Sequence, residues 1–338
     1  MNCNDFKVSA IILTCFGDGN IHKTVESVIN VVDEIIILNT GSFHCESLSL
    51  YDKRVIRIID FEWGDDFSGA RNFGIEMTKN DICFFIDSDE YLTAGSQKIF
   101  KDLLKNAFLN DPGALYAPLI DNLNGTVLHN NVRIFSKRES LRYKGFVHEY
   151  LCEPGSIIKN LPALILEHTG YLCDSKNKIK EKRNLALLKK QLAVEPDNLR
   201  WKYFFLRYLQ KKHPERIRII RLFSDLKLPY DADTEIYAFN VKTQFIIELL
   251  DARAFKEAFY HAEKLYEFYK DKNTMRLYFI SRYLDSRHRF LSSMRDLNQI
   301  EKIINESSND VYLSQYVCED TFNILLNDFF SDCKYLKL

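Results

Sequence analysis

The chain has 338 residues, enough for two domains and a large core. Its 46 basic and 47 acidic side chains leave a formal charge of -1, so no global field recruits nucleic acid or an anionic membrane. The 8 cysteines form no Cys-x-x-Cys pair, which argues against a zinc site or a disulfide framework and predicts reduced thiols. No secretory signal precedes the first apolar run, and no apolar stretch approaches the ~20 residues of a membrane span. A cytoplasmic chain without an integral membrane segment is therefore expected.

In chain order, Lys7 to Thr14 predicts a strand, Ile21 to Val32 a helix, Asp33 to Asn39 a second strand and Arg54 to Asp60 a third. Phe67 to Thr78 predicts a helix, and Ile82 to Ile86 the next strand. These strands are near-continuously apolar, as expected for a mostly parallel, Rossmann-like sheet covered on both faces. Ligands of such sheets gather at the carboxyl ends of the strands. That directs attention to Thr14–Asn20, Asn39–Ser42, Phe61–Asp66 and Asp87–Glu90.

Beyond a helix expected around Gln97, strands follow over Leu115–Ile120, Val132–Ser136 and Ala163–His168, with a loop around Gly145–Glu149. After Asp174 the period becomes helical, over Lys176–Val194, Leu199–Leu209, Thr234–Leu250, Ala254–Tyr269 and Tyr312–Phe330. The Pro196-Asp197-Asn198 break, and small residues four apart at Ala254, Ala258 and Ala262, suggest tetratricopeptide-like hairpins. The expected organisation is an α/β domain over residues 1–174 and an all-α, tetratricopeptide-like helical domain over residues 175–338.

The chemistry centres on Asp87-Ser88-Asp89, at the end of an apolar strand. Alternate side chains of an extended segment share a side, so Asp87 and Asp89 can face one ligand. Hard oxygen donors suit Mg²⁺ or Mn²⁺ bridging phosphates. The same residues also suit a helix cap or an Asx-turn.

Just upstream stands Trp63-Gly64-Asp65-Asp66-Phe67-Ser68-Gly69-Ala70-Arg71-Asn72. It resembles the W-x-x-D-F-S-x-A-R-N segment of family 2 glycosyltransferases, inverting enzymes with a GT-A nucleotide-sugar-binding fold. Gly145-Phe146-Val147-His148-Glu149, His168-Thr169-Gly170-Tyr171 and Glu195-Pro196-Asp197-Asn198 before Trp201 are similar to the sublancin-type bacteriocin peptide S-/O-glycosyltransferases. The resemblance covers roughly Lys7 to Gln210.

The resemblance implies a UDP-sugar donor, UDP-glucose foremost, a divalent cation, and a Cys or Ser of a precursor peptide as acceptor. Asp87 would contact the ribose or the metal, Asp89 would ligate the metal, and His168 would complete its shell. A core histidine bonded to a backbone carbonyl is the other reading of His168. Arg71 would lie near the uracil or phosphates, and Trp63 and Asp66 at the sugar end. Thr14, Asn39 and Ser88 complete the nucleotide-sugar set, Asn39 standing where the family carries an acid.

Glu149 is the candidate general base; His148 could be the base instead or could orient Glu149. Asp65, Asp66 and Glu90 are held in reserve. A serine acceptor needs the base strongly, whereas a cysteine, with a pKa of about 8.5, needs it less. The helical domain would hold the peptide or pair two subunits as a homodimer. A cell-surface or lipid-linked glycan acceptor, and a non-catalytic peptide-binding scaffold, are the alternative readings.

Overall fold

The computed structural model describes residues 6–14, 20–41, 55–153, 155–169, 174–209, 213–224 and 232–306, and residue 327. Cys15–Gly19, Ser42, Gly170, Tyr171 and the helix expected over Tyr312–Phe330 lie outside the described residues. So do Cys3, Cys45, Cys173, Cys318 and Cys333. Cys83 is a free, buried thiol whose pKa burial pushes up to about 11. Packing divides the chain into two compact units, Met1–Ile219 and Ile220–Leu338.

The first unit opens with β1 (Val8–Thr14), α1 (Asn20–Val28), β2 (Glu34–Asn39), β3 (Ile56–Asp60), α2 (Phe67–Met77) and β4 (Ile82–Asp87). The four strands run parallel in the order β3-β2-β1-β4. Their apolar runs follow from two-sided burial. Ile82, Phe84 and Ile86 of β4 pack with Val25 of α1, while Cys83 and Phe85 face the opposite layer with Ile75 of α2. At the edge, β3 departs from that rule, with Ile58 46% exposed. The next helix, α3 (Ala94–Asn110), adds Phe100 and Leu104 to the α1 layer. It starts where the Thr93 side chain accepts the Ser96 N–H at 3.3 Å.

The remaining strands are β5 (Glu90–Leu92), β6 (Leu115–Asp121), β7 (Val127–Leu128), β8 (Ile134–Ser136), β9 (Arg142–Lys144), β10 (Tyr150–Cys152) and β11 (Ile158–His168). Among the described residues, nine strands join one sheet in the order β3-β2-β1-β4-β8-β6-β11-β5, with β7 on β6; β9 and β10 pair separately. The sheet is mixed, antiparallel at β4–β8, β8–β6 and β11–β5 and parallel again at β6–β11. The pairing register of β11 shifts between Leu161 and Ile165, around Pro162, which has no N–H to give.

One topological fact builds the site. β5 follows β4 after a two-residue turn, yet it lies at the far end of the strand order. The sheet therefore curls back on itself, and β5 pairs with β11 in a register that sets His168 opposite Glu90. Sequence reading did not anticipate β5, because three residues are too few to show a period.

Two helices complete the part of this unit that forms the site. α4 (Asp174–Val194) and α5 (Leu199–Tyr208) form a hairpin. Asn198 caps α5 by accepting the Arg200 N–H at 3.0 Å, and Glu195 accepts from Asn198 and from the Trp201 indole at 2.8 and 2.7 Å. α6 (Pro214–Ser224), which the sequence reading passed over, follows. In the second unit lie α7 (Ala232–Asp251), α8 (Phe255–Tyr269) and α9 (Lys272–Glu306). Ala258 and Ala262 of α8 are fully buried against Ile246 and Leu265, the close packing that small residues allow. No helix among the described residues is long and apolar enough to cross a membrane.

Candidate active site

Asp87 ends β4, and Ser88 and Asp89 make the turn into β5. Strand alternation therefore does not align the two carboxylates. The turn does so instead, and Asp87, Ser88 and Asp89 all line a cavity of about 930 Å³. Thr14, Trp63, Arg71 and His168 line it as well, and so do His148 and Glu149 on a facing loop.

Both oxygens of Asp87 are engaged. Oδ1 accepts from Arg71 Nη2 at 3.1 Å and Oδ2 from Arg133 Nη2 at 2.8 Å. Burial raises the Asp87 pKa, but the guanidinium groups of Arg133 and Arg71 outweigh it and hold the carboxyl well below the usual range. The same Arg133 nitrogen donates to Glu90 Oε1 at 2.6 Å, and Glu90 Oε2 accepts the Asp87 N–H at 3.0 Å. Glu90 is 1% exposed, and burial raises its pKa, so this reserve candidate is a buried support of the Asp87 turn.

Arg71, from the second turn of α2, also donates Nε to Glu149 Oε1 at 2.6 Å. Burial opposes its charge, and Glu149 and Asp87 more than restore it. Arg71 Nη1, Arg133 Nε and the Tyr143 hydroxyl are buried without a hydrogen-bond partner among the described residues. Arg71 lies over the Tyr143 ring, 5.5 Å from its centroid. Buried orphan donors of this kind call for a water or a polar ligand.

His168 Nδ1 is 2.9 Å from Asn122 Oδ1, and Asn122 Nδ2 donates to Thr126 Oγ1 at 3.0 Å, which orients the amide. His168 Nε2 then faces Asp89 Oδ1 at 3.4 Å. The hydrogen bond to a side-chain carbonyl oxygen on one nitrogen, with a carboxylate beside the other, is how a metal-binding imidazole is oriented. Lys180 of α4 also approaches Asp89, at 3.6 Å. Burial lowers the His168 pKa, and Asp89 overcomes it to give a net rise.

Among the described residues no group of three or more His, Cys, Asp and Glu side chains forms a metal cage. Asp89 and His168 offer one carboxylate and one imidazole, a donor pair that suits Mn²⁺ better than Mg²⁺, with phosphates and water left to fill the shell.

Two expected residues take other work. Asp66 caps α2, accepting the Gly69 N–H at 3.0 Å and the Ser68 hydroxyl at 2.7 Å, and does not line the cavity. Asn39, 5% exposed, donates to Asp60 Oδ1 at 2.7 Å and accepts the Gly41 N–H at 3.3 Å. Asp65 adopts φ 58° and accepts from the Trp63 indole at 3.0 Å. Sequence reasoning passed over Arg133, Tyr143, Asn122 and the α4–α5 residues Lys180, Arg183, Asn184, Arg200 and Phe204. The signal for Arg133 was there, a charge within an apolar strand, since such residues are buried only when paired.

Fold and site together define an α/β domain whose carboxylates stand at the carboxyl end of the parallel strand β4. Residues 9–139 match the model of glycosyl transferase family 2, so the chain carries a family 2 glycosyltransferase domain, as the Trp63–Asn72 segment led us to expect. It is 31% identical over 197 residues to the SPbeta prophage-derived glycosyltransferase SunS of Bacillus subtilis, covering 56% of this chain and 46% of that protein. A TPR repeat-containing protein of Synechococcus elongatus is 27% identical over 161 residues, covering 44% and 38%. The chain thus spans less than half the length of these curated relatives. Among solved structures, S. aureus TarS 1–349 in complex with UDP-GlcNAc aligns at 15% identity and a TM-score of 0.37, covering 71% of this chain and 81% of that one. That score is too low to define a shared fold.

Proposed function

We propose that the chain is a cytoplasmic, metal-dependent, inverting glycosyltransferase that moves a hexose, glucose from UDP-glucose, onto a Cys or Ser of a bacteriocin-type peptide. The observation that carries this reading is one cavity lined by Asp87, Asp89 and Glu149, with Arg71 tying Asp87 to Glu149 at 3.1 and 2.6 Å. Asp89 and His168 would hold Mg²⁺ or Mn²⁺, which neutralises charge on a departing diphosphate. Thr14, Trp63, Arg71, Asp87 and Ser88 would bind the nucleotide sugar. Glu149 would take the acceptor proton from the side opposite the leaving group.

In this division of labour, residues 1–174 carry the catalytic residues, and the α4–α5 hairpin lines the same cavity. Residues 175–338 would hold the peptide or pair two copies of the chain.

The test is incubation of the purified protein with a panel of UDP-sugars, Mn²⁺ or Mg²⁺, and Cys- or Ser-containing peptides, read by intact mass. A hexose added to one side chain, and lost with EDTA or Asp89→Ala, is the expected result. Transfer only to saccharides would overturn the peptide acceptor. A protein that shows no transfer and no donor hydrolysis would overturn the enzyme reading.

A further inference from the structure

The loop from Gly145 to Glu149 is shaped by the helical hairpin. Gly145 takes φ 101°, and a Cβ there would overlap the Trp201 ring of α5. Phe146 donates its N–H to Gln191 Oε1 of α4 at 2.8 Å. His148 adopts φ 54°, a left-handed conformation uncommon for a non-glycine residue.

Three side chains of α5 meet His148. Its carbonyl accepts from Arg200 Nη2 at 2.7 Å. Its ring lies flat on Phe204, with centroids 4.1 Å and planes 6° apart, and its Nε2 is 2.9 Å from the Tyr208 hydroxyl. Positions 200, 204 and 208 are four apart and so share one face of the helix. That face meets His148 at three points.

The Tyr208 oxygen accepts from Asn184 Nδ2 of α4 at 3.0 Å. With that lone pair taken, the hydroxyl is free to give its own hydrogen to His148 Nε2, an arrangement that would leave the imidazole proton on Nδ1. Burial brings the His148 pKa down to about 4; Glu149 opposes this, and Arg207 and Arg200 reinforce it. The ring is neutral, weakly basic and engaged at one nitrogen, which makes it a poor proton acceptor.

We infer that His148 is a positioning residue and not the base: the α4–α5 hairpin holds it left-handed so that the next residue, Glu149, presents its carboxylate to the cavity. This rests on the reading of Glu149 as the proton acceptor. Glu149 is then held twice, through its backbone by α5 and through its carboxylate by Arg71. The stake is large, because misplacing a reacting group by about 1 Å can cost on the order of a hundredfold in rate.

The test is hydrolysis of UDP-glucose with Mn²⁺, where water replaces the acceptor and needs the same proton acceptor, together with ¹⁵N-histidine NMR. Tyr208→Phe should lower kcat about tenfold and His148→Ala about a hundredfold, with KM for UDP-glucose and Tm nearly unchanged. His148→Asn, which tolerates the left-handed region, should recover part of the loss. The wild-type ring should show the neutral Nδ1–H tautomer near neutral pH, and Tyr208→Phe should lose it.

If Glu149→Gln abolishes hydrolysis while His148→Ala keeps wild-type kcat, positioning is overturned and the base stands. If Glu149→Gln hydrolyses normally, the base reading falls and takes this one with it. A ring that is charged near neutral pH in the wild type overturns the reading of His148 as a poor proton acceptor without reference to turnover.

Discussion

The two walls of the cavity are built differently. On the sheet side, Asp87, Glu90, Arg71 and Arg133 form an ion-pair network that, with the Asp87 N–H, engages both oxygens of each of the two acids. On the helix side, His148 is neutral and is held by a ring stack and single hydrogen bonds. The difference sets what each wall can tolerate. A buried charge that loses its partner is stranded, whereas one neutral hydrogen bond contributes about 0.5–1.5 kcal/mol. The sheet wall should therefore fail by losing stability, and the helix wall by losing rate.

The largest effect should come from Arg133→Met, which strands Glu90 and removes one of the two guanidinium groups on Asp87. A loss of about 3–5 kcal/mol is expected in urea unfolding. Arg133→Met combined with Glu90→Gln should recover part of it; no recovery would break the picture of a stranded charge.

Next comes Glu149→Gln, expected to slow transfer by roughly 10²–10⁴-fold while UDP binding, read by calorimetry, persists. Gly145→Ala is the exception on the helix side, a backbone and packing clash and not a lost hydrogen bond, since both its φ of 101° and the Trp201 ring oppose a Cβ. It should cost about 1–3 kcal/mol and shift Trp fluorescence.

Smaller still, Thr93→Ala removes the α3 cap and should cost about 1 kcal/mol with activity intact. Glu153 supplies a pH test away from both walls. The Arg138 guanidinium, with the Ser140 and Ser156 hydroxyls, holds its carboxyl down to about 2, against 4.5 for an ordinary glutamate. A depressed carboxylate stabilises the fold above its unfolded pKa, and that contribution is lost as pH falls from about 4.5 to about 2. Glu153→Gln should therefore flatten the acid limb of the stability curve in that window, as read by circular dichroism.

Much of the parallel half of the sheet was legible. An apolar run buried on both faces needs no partner's identity to be read as a strand, and β1, β2 and β4 lie close to where the pattern put them. The edge strand β3 shows the limit, because the run itself does not say whether both faces are covered. Asp66 shows another. An aspartate ahead of a helix suits both a cap and a ligand site, and only the Gly69 and Ser68 contacts separate the two.

By itself the sequence determined the family segment Trp63–Asn72, the strand that delivers Asp87, and the change from sheet to helices after Asp174, because each is a local pattern of polarity and spacing. Only the tertiary structure decided that His168 meets Asp89, which takes the curl of the sheet and one β5–β11 register. It alone decided that Asp87 is shared by two arginines and that one face of α5 grips His148. Those contacts join residues far apart in the chain, and no local period records which distant partner a side chain will find.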